Sequence, residues 1–198
     1  NAEGRVAITT FSSNVGRIRS IAHAAHAAGR EVLLLGSSMK RVVNVARDVG
    51  LMEGIKPFIA EDEYGYIPRD KVVVVLTGSQ GEPRAALAKI ARDEMRNVSL
   101  AAGDTVVFSS RTIPGNEKPI LEIMNGLIDQ GVHIITDADA LVHVSGHPRR
   151  NELVKMYEWT RPQILVPVHG EAAHLTAQAE LGTQSGIPNI PRVRNGDM

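Results

Sequence analysis

The sequence contains no cysteine, which excludes disulfide bonds and zinc sites built from thiolates. It has no apolar run approaching the roughly 18 residues needed to span a bilayer, and no signal-peptide pattern opens it. These absences favour a cytoplasmic protein without a membrane partner. The formal net charge is zero, because 22 basic residues balance 22 acidic ones. Nucleic-acid-binding proteins are more often basic, so this balance argues mildly against that class unless a local basic patch exists.

The composition is that of a globular protein with one ordinary domain, or one domain and part of another: 198 residues, 43% hydrophobic and 22% charged. Short apolar runs alternate with helical patterns. The predicted strands are 6–10, 31–35, 71–76, 105–108, 132–135 and 163–168, and the predicted helices include 84–95, 149–159 and 171–181, with a loop-like tail over 182–198. This alternation predicts an α/β fold, a three-layer, Rossmann-like parallel sheet.

In such folds ligands bind at the carboxyl ends of the strands, which directs attention to the loops that follow them. The loop 77–83, Thr-Gly-Ser-Gln-Gly-Glu-Pro, has small residues that let backbone N–H groups approach an anion. It lacks the Lys of a P-loop and the third Gly of a dinucleotide fingerprint, so an ordinary tight turn stays open as an alternative. The loop Ser109-Ser110-Arg111 is suited to gripping a phosphate, although Arg111 is equally suited to a solvated position.

Histidines mark two further segments. His143 and His147 are four residues apart, as in zinc-binding helices, but the intervening Val-Ser-Gly disfavours a helix. Asp137 and Asp139 lie nearby as oxygen donors, and a purely structural role for the histidine pair stays open. His169 follows the predicted strand 163–168, where an α/β fold places catalytic or metal-binding groups.

Five motifs occur in order along the chain: 11–18 (FSSNVGRI), 77–83 (TGSQGEP), 109–117 (SSRTIPGNE), 143–147 (HVSGH) and 167–171 (PVHGE). This ordered set resembles the bacterial ribonuclease J family, metallo-β-lactamase-fold nucleases with an inserted β-CASP domain. The resemblance implies that residues 3–145 form the β-CASP domain. It also implies that residues 146–198 are an incomplete strand–helix return into the metallo-β-lactamase domain.

The resemblance also implies roles for individual residues. His147 matches the β-CASP motif histidine that contacts the scissile phosphate, and it is the implied catalytic residue. His169 matches the last motif histidine, a zinc ligand. The residues implied to line the phosphate site or to hold RNA phosphates, including a 5′-monophosphate, are Ser79, Ser109, Ser110, Arg111, His143, Ser145 and Gly146.

For the intact enzyme the resemblance implies two zinc ions, 5′-to-3′ exonuclease and endonuclease activity on RNA, and self-association. The family's His-x-His-x-Asp-His zinc motif does not occur in this sequence. A zinc site needs about three protein ligands, so we expect the chain alone to hold zinc weakly or in part and to be inactive. Pro148 stands where a small residue such as alanine often follows the motif histidine, which would shift the ring of His147.

Two other functions are compatible with the same residues. One is a nucleotide- or sugar-phosphate-binding α/β domain of a small-molecule enzyme, built on the strand–glycine–helix loops. The other is a binding module that places arginines on RNA phosphates without chemistry. Its candidates are Arg17, Arg19, Arg84 and Arg111. Tyr157 and Trp159 are expected to pack the helix on which they lie.

Overall fold

A computed structural model describes residues 2–194 and 196–197 of the chain. The chain divides into two compact units, Asn1–Val144 and Ser145–Met198. Within the described residues, none of the helices combines the length and the apolar character that crossing a membrane would require.

The first unit is built on one parallel sheet. Its strands are β1 (Val6–Thr9), β2 (Glu31–Leu35), β3 (Val72–Leu76), β4 (Thr105–Phe108) and β5 (His133–Ile135). They lie in the order β2-β3-β1-β4-β5, and Val6 of β1 is in register with Val73 on one side and Thr105 on the other. All five residues of β3 are buried, as expected for a continuous apolar strand that is covered on both faces.

Helices cover both faces of this sheet. They are α1 (Val15–Ala27), α2 (Ser37–Asp48), α3 (Ala86–Ala91) and α4 (Glu117–Asp129). Successive side chains of a strand point to opposite faces, and the buried clusters follow that rule. Val73 and Val75 pack with α1 and α2, whereas Val72 and Val74 pack with α3 and α4. The predicted three-layer α/β fold is therefore confirmed.

The helix predicted over 84–95 is wrong at both ends, because α3 spans only Ala86–Ala91. At its start, Leu87 N donates to Thr77 O, which ties the chain to the loop after β3 instead of to a further helical turn. At its end, Asp93 adopts a left-handed φ of 55° and the chain reverses there. Glu94 then pairs with Arg92 at 2.8 Å, a contact that the reversal permits.

The second unit contains α5 (Arg150–Thr160) and α6 (Ala172–Gln184) around a small core of Tyr157, Leu181 and Ile187. The predicted packing of Tyr157 is confirmed, since it is 8% exposed, but Trp159 is 70% exposed and the prediction for it is wrong. The tail predicted as a loop from 182 is wrong over 182–184, which continue α6. The helix stops only where Gly186 takes a φ of 78°.

The strand predicted over 163–168 is also wrong. Ile164 alone forms a parallel bridge, with Asn189, and Val168 is 63% exposed. A strand needs a row of neighbouring backbone groups to hydrogen-bond with. Within the described part of this unit Asn189 is the one such bridging partner, so the apolar run stays extended without becoming a strand.

Candidate functional site

The strand order places a topological switch point at the carboxyl ends of β1 and β4. These two strands are neighbours in the middle of the sheet. From β1 the chain passes through α1 to β2 on one side, and from β4 it passes through α4 to β5 on the other. Because α1 and α4 cover opposite faces, the chain diverges between β1 and β4. This topological switch point is where open α/β sheets bind their ligands.

Arg17 joins three elements at this point. The side chain of Asn14 accepts from Arg17 N at 3.0 Å and so caps the start of α1. The Arg17 guanidinium reaches the loop after β4, where Nη1 donates to Ser109 O at 2.6 Å. The same Nη1 lies 3.1 Å from Nδ1 of His143. The first turn of α1 is therefore linked to residues that are distant in sequence.

The segment that carries His143 is fixed by a second hydrogen bond. The Ser109 hydroxyl donates to Val142 O at 2.6 Å, so the backbone next to His143 is held to the end of β4. Ser109 thus uses its carbonyl for Arg17 and its hydroxyl for Val142, and it is 5% exposed. As the sequence predicts, the stretch from 136 to 149 contains no helix.

The electrostatics of the site favour an uncharged His143. Burial lowers the pKa of the His143 imidazole below its usual value, and the positive charges of Arg17 and Arg111 lower it further. The carboxylate of Asp137 opposes this shift. The net shift favours the neutral ring, and a hydrogen bond from Arg17 to Nδ1 fits that form.

Gln80 connects the loop after β3 to the loop after β4. Its side-chain Nε2 donates to Arg111 O at 2.9 Å, and its Oε1 accepts from Ile113 N at 3.0 Å and from Asn116 Nδ2 at 3.3 Å. Gln80 is 8% exposed. Gln80 therefore holds together the two loops that the sequence predicts to bind phosphate, although it was not itself predicted as a site residue.

The predicted phosphate-binding residues of the first unit differ in exposure. Ser79 and Ser110 are buried, at 2% and 5% exposure, whereas Arg111 is exposed. Ser79 lines a cavity of about 510 Å³ at the carboxyl ends of β2 and β3, together with Arg84 and Lys89. The acidic residues Glu61 and Glu82 also line this cavity.

The remaining predicted residues belong to the second unit. Ser145, Gly146 and His147 are exposed, and the Ser145 hydroxyl accepts from His147 N at 3.1 Å. His169 is exposed and lines a cavity of about 920 Å³ with Arg192 and Arg194.

The backbone of His169 has a left-handed φ of 61°, which is uncommon for a residue other than glycine. The residues after His169 are closely packed at the start of α6. A Cβ on Gly170 would lie 2.9 Å from the Cβ of His174, and the Nδ1 of His174 accepts from Glu171 N at 3.2 Å. His174 therefore serves the start of α6, and the left-handed turn presents His169 just before that helix.

A zinc site is not formed by the described residues. Over 2–194 and 196–197, no group of three or more His, Cys, Asp or Glu side chains is placed so that it could hold a metal ion. His169 offers one ligand, whereas a protein zinc site uses about three or four. The described part of the chain therefore does not fit a complete zinc centre.

Two family models match the chain. Residues 3–127 match "Ribonuclease J, beta-CASP domain", and residues 131–191 match "Zn-dependent metallo-hydrolase RNA specificity domain". Among curated proteins, the chain is 83% identical to Ribonuclease J of Sinorhizobium meliloti over 198 residues, which is 100% of this chain and 35% of that protein.

More distant relatives carry the same name. Ribonuclease J of Mycolicibacterium smegmatis is 41% identical over 98% of the chain and 36% of its own length. Ribonuclease J of Mycobacterium tuberculosis is 40% identical over 94% of the chain and 34% of its own length. The chain therefore spans about a third of the length of these curated relatives.

Proposed function

Because this chain belongs to the ribonuclease J family, we propose that it is the RNA-phosphate-binding part of a metal-dependent ribonuclease and supplies part of the active site. The longer protein would cut RNA from the 5′ end and internally, in cytoplasmic RNA processing and decay. The observation that carries the proposal is the convergence of Arg17, Ser109 and His143 at the switch point of the sheet. The small-molecule alternative loses support, because the family is one of ribonucleases.

In this proposal, residues 3–145 are the β-CASP domain and residues 146–198 return into the metallo-β-lactamase domain. The RNA backbone lies along the carboxyl edge of the sheet, where Arg111 is exposed and His143 is a neutral donor. Ser79 and Ser110 supply hydroxyl donors to phosphate oxygens, including those of a 5′-monophosphate. Arg17 donates from Nη1 to Ser109 O and lies beside His143 Nδ1, and we assign to it the positioning of these two residues.

In the second unit we assign the scissile phosphate to His147, with Ser145 and Gly146 lining the same site. We assign a zinc ligand to His169, supported by the left-handed backbone that it adopts against its intrinsic preference. When bound, zinc would supply an activated water and neutralise charge on the phosphate. Two zinc ions are proposed only for the longer protein, since the described residues do not complete a site.

The proposal is tested by the binding of RNA oligomers that carry a 5′-monophosphate or a 5′-hydroxyl, at about 50 mM and about 200 mM salt. We expect the monophosphorylated oligomer to bind more tightly, with an affinity that falls as salt rises. Ser79→Ala and Ser110→Ala should remove the difference between the two oligomers. The matched control is Ser20→Ala, because Ser20 is an exposed serine of α1 whose hydroxyl donates to Gly16 O. Equal binding of both oligomers would refute a 5′-phosphate pocket in this chain.

We also propose that the longer protein self-associates. Light scattering on that protein should give the mass of a defined multimer, and a monomer at every concentration would refute the proposal. The 198-residue chain, measured in parallel, shows whether its two units take part in the association.

A further inference from the structure

The Arg17 side chain uses one nitrogen for two acceptors. Nη1 carries two hydrogens, and it lies 2.6 Å from Ser109 O and 3.1 Å from His143 Nδ1. In the described part of the chain Arg17 has no carboxylate within ion-pairing distance. Its guanidinium therefore brings a positive charge to the switch point that none of the described carboxylates pairs with directly.

This contact determines where the proton of His143 lies. Arginine stays protonated at every physiological pH and has no lone pair to offer, so it acts only as a donor. A hydrogen bond from Arg17 requires a lone pair on Nδ1, which places the single proton of the neutral ring on Nε2. A carboxylate in the same place would accept a hydrogen bond from Nδ1–H and select the opposite tautomer.

The surroundings of His143 reinforce this arrangement. Ser109 holds the adjacent Val142 carbonyl, so the backbone of the segment is anchored as well as the ring. The charged groups that act on the imidazole are Arg17 and Arg111, which disfavour a second proton, and Asp137, which favours one. The two arginines come from α1 and from the loop after β4, and Asp137 comes from the segment after β5.

We propose that Arg17 is a positioning residue that fixes His143 as the Nδ1-acceptor tautomer, so that Nε2–H is presented as a neutral hydrogen-bond donor to an RNA phosphate oxygen. This inference rests on the proposed function, because it takes RNA phosphate as the ligand. Arg17 acts through His143 and does not contact the RNA. Removing Arg17 should therefore matter only while His143 is present.

The tautomer is read directly from the imidazole nitrogens by ¹⁵N NMR of the 198-residue chain without RNA. We expect the spectrum of His143, identified by its loss in His143→Gln, to show protonated Nε2 and unprotonated Nδ1. In Arg17→Gln the proton should be distributed over both nitrogens. Arg17→Lys, which keeps the charge, should give an intermediate spectrum. A proton on Nδ1 in the unmodified chain, or an unchanged spectrum in Arg17→Gln, would overturn the proposal.

The second measurement is a double-mutant cycle on the binding of 5′-monophosphorylated RNA. We expect Arg17→Gln alone to weaken RNA binding by about tenfold. This is the effect on an affinity that the loss of one charge-assisted hydrogen bond, here that from Arg17 to His143, typically has. In the His143→Gln background the same substitution should have less than about a twofold effect. Arg41→Gln, which removes an exposed charge from α2, controls for charge loss. Equal effects in both backgrounds would mean that Arg17 binds RNA directly, and the proposal would be wrong.

The two measurements separate the possible failures. If the unmodified chain binds no RNA but shows the expected tautomer, the proposed function fails while the Arg17–His143 pairing stands. If it binds RNA and the tautomer is mixed, the proposed function stands and the positioning role fails.

Discussion

The side-chain amide of Gln80 donates to the carbonyl of Arg111 at 2.9 Å. This hydrogen bond joins the loop after β3 to the loop after β4, although β1 lies between these two strands in the sheet. Gln80 also accepts from Ile113 N at 3.0 Å, so both ends of its amide bind backbone. A buried amide is well suited to this position because it donates and accepts from one planar group. One uncharged side chain therefore links the two loops through hydrogen bonds at both ends of its amide.

Replacing Gln80 with alanine should destabilise the first unit. The substitution leaves the Arg111 carbonyl and the Ile113 N–H without their partner, at a cost of about 1–3 kcal/mol. Urea unfolding followed by circular dichroism would measure the loss. Asn44→Ala, which removes an exposed amide from α2, is the control and should change the free energy of unfolding by less than about 0.5 kcal/mol. Similar losses in both variants would contradict the role given to Gln80.

The stability of the first unit should fall in mild acid because of His143. Its pKa in the folded chain lies below the value near 6.5 of an ordinary histidine, chiefly through burial and then through Arg17. The unfolded chain therefore binds the proton more readily. The resulting stabilisation is fully present above about pH 6.5 and is lost as the pH falls through the lower, folded pKa.

Urea midpoints measured between about pH 8 and pH 5, for the unmodified chain and for His143→Gln, would isolate this effect from the other histidines. The midpoint of the unmodified chain should fall more steeply towards acid. If the two profiles run parallel, His143 has an ordinary pKa and the electrostatic account of the site is wrong.

The 198-residue chain should not hydrolyse RNA, even with added zinc. His169 is one ligand, and the described residues provide no cluster to complete the set. The measurement is the decay of a 5′-labelled RNA oligomer with and without zinc, and the control is His169→Ala. Zinc-dependent cleavage that disappears in His169→Ala would show that the chain completes the site.

Replacing Gly126 with alanine should destabilise the first unit, although alanine is the better helix former by about 1 kcal/mol. A Cβ on Gly126 of α4 would lie 2.6 Å from Ala91 O at the end of α3, where only backbone can give way. Overpacking of this kind costs about 1–3 kcal/mol.

Gly65→Ala is the matched control, because a Cβ there meets no atom within 4 Å and the backbone φ is not left-handed. Thermal unfolding should show a lower midpoint for Gly126→Ala and little change for Gly65→Ala. A midpoint for Gly126→Ala at or above that of the unmodified chain would mean that α3 and α4 separate easily.

Periodicity in the sequence was sufficient to locate the sheet of the first unit, since all five strands lie within a residue of the predicted runs at each end. The run at β3 is apolar throughout, and only a strand covered on both faces buries such a run. The same reasoning failed at 163–168, because an apolar run carries no information on whether a neighbouring strand exists. Only Asn189 bridges to that segment within the described residues.

The candidate site was predictable in its loops but not in its contacts. Both the motif at 77–83 and the motif at 109–117 follow predicted strands, and the carboxyl ends of parallel strands share one edge of the sheet, where ligands bind. The strand order, which puts β1 beside β4, is not written in local patterns. Arg17 and His143 are 126 positions apart, and nothing local signals their pairing. For Gln80 the sequence offered one signal, its place in a short loop between Gly78 and Gly81. In the structure both glycines take a positive φ and Gln80 is buried.

His169 combines a left-handed backbone, which disfavours any residue other than glycine, with the side chain that is proposed to bind zinc. Glycine, or to a lesser extent asparagine, adopts a φ of 61° more readily than histidine. A selection for heat-resistant variants would therefore favour the replacement of His169 by glycine or asparagine, which should stabilise the fold by about 1 kcal/mol. Selection for stability alone would therefore remove the side chain that is proposed here to bind zinc.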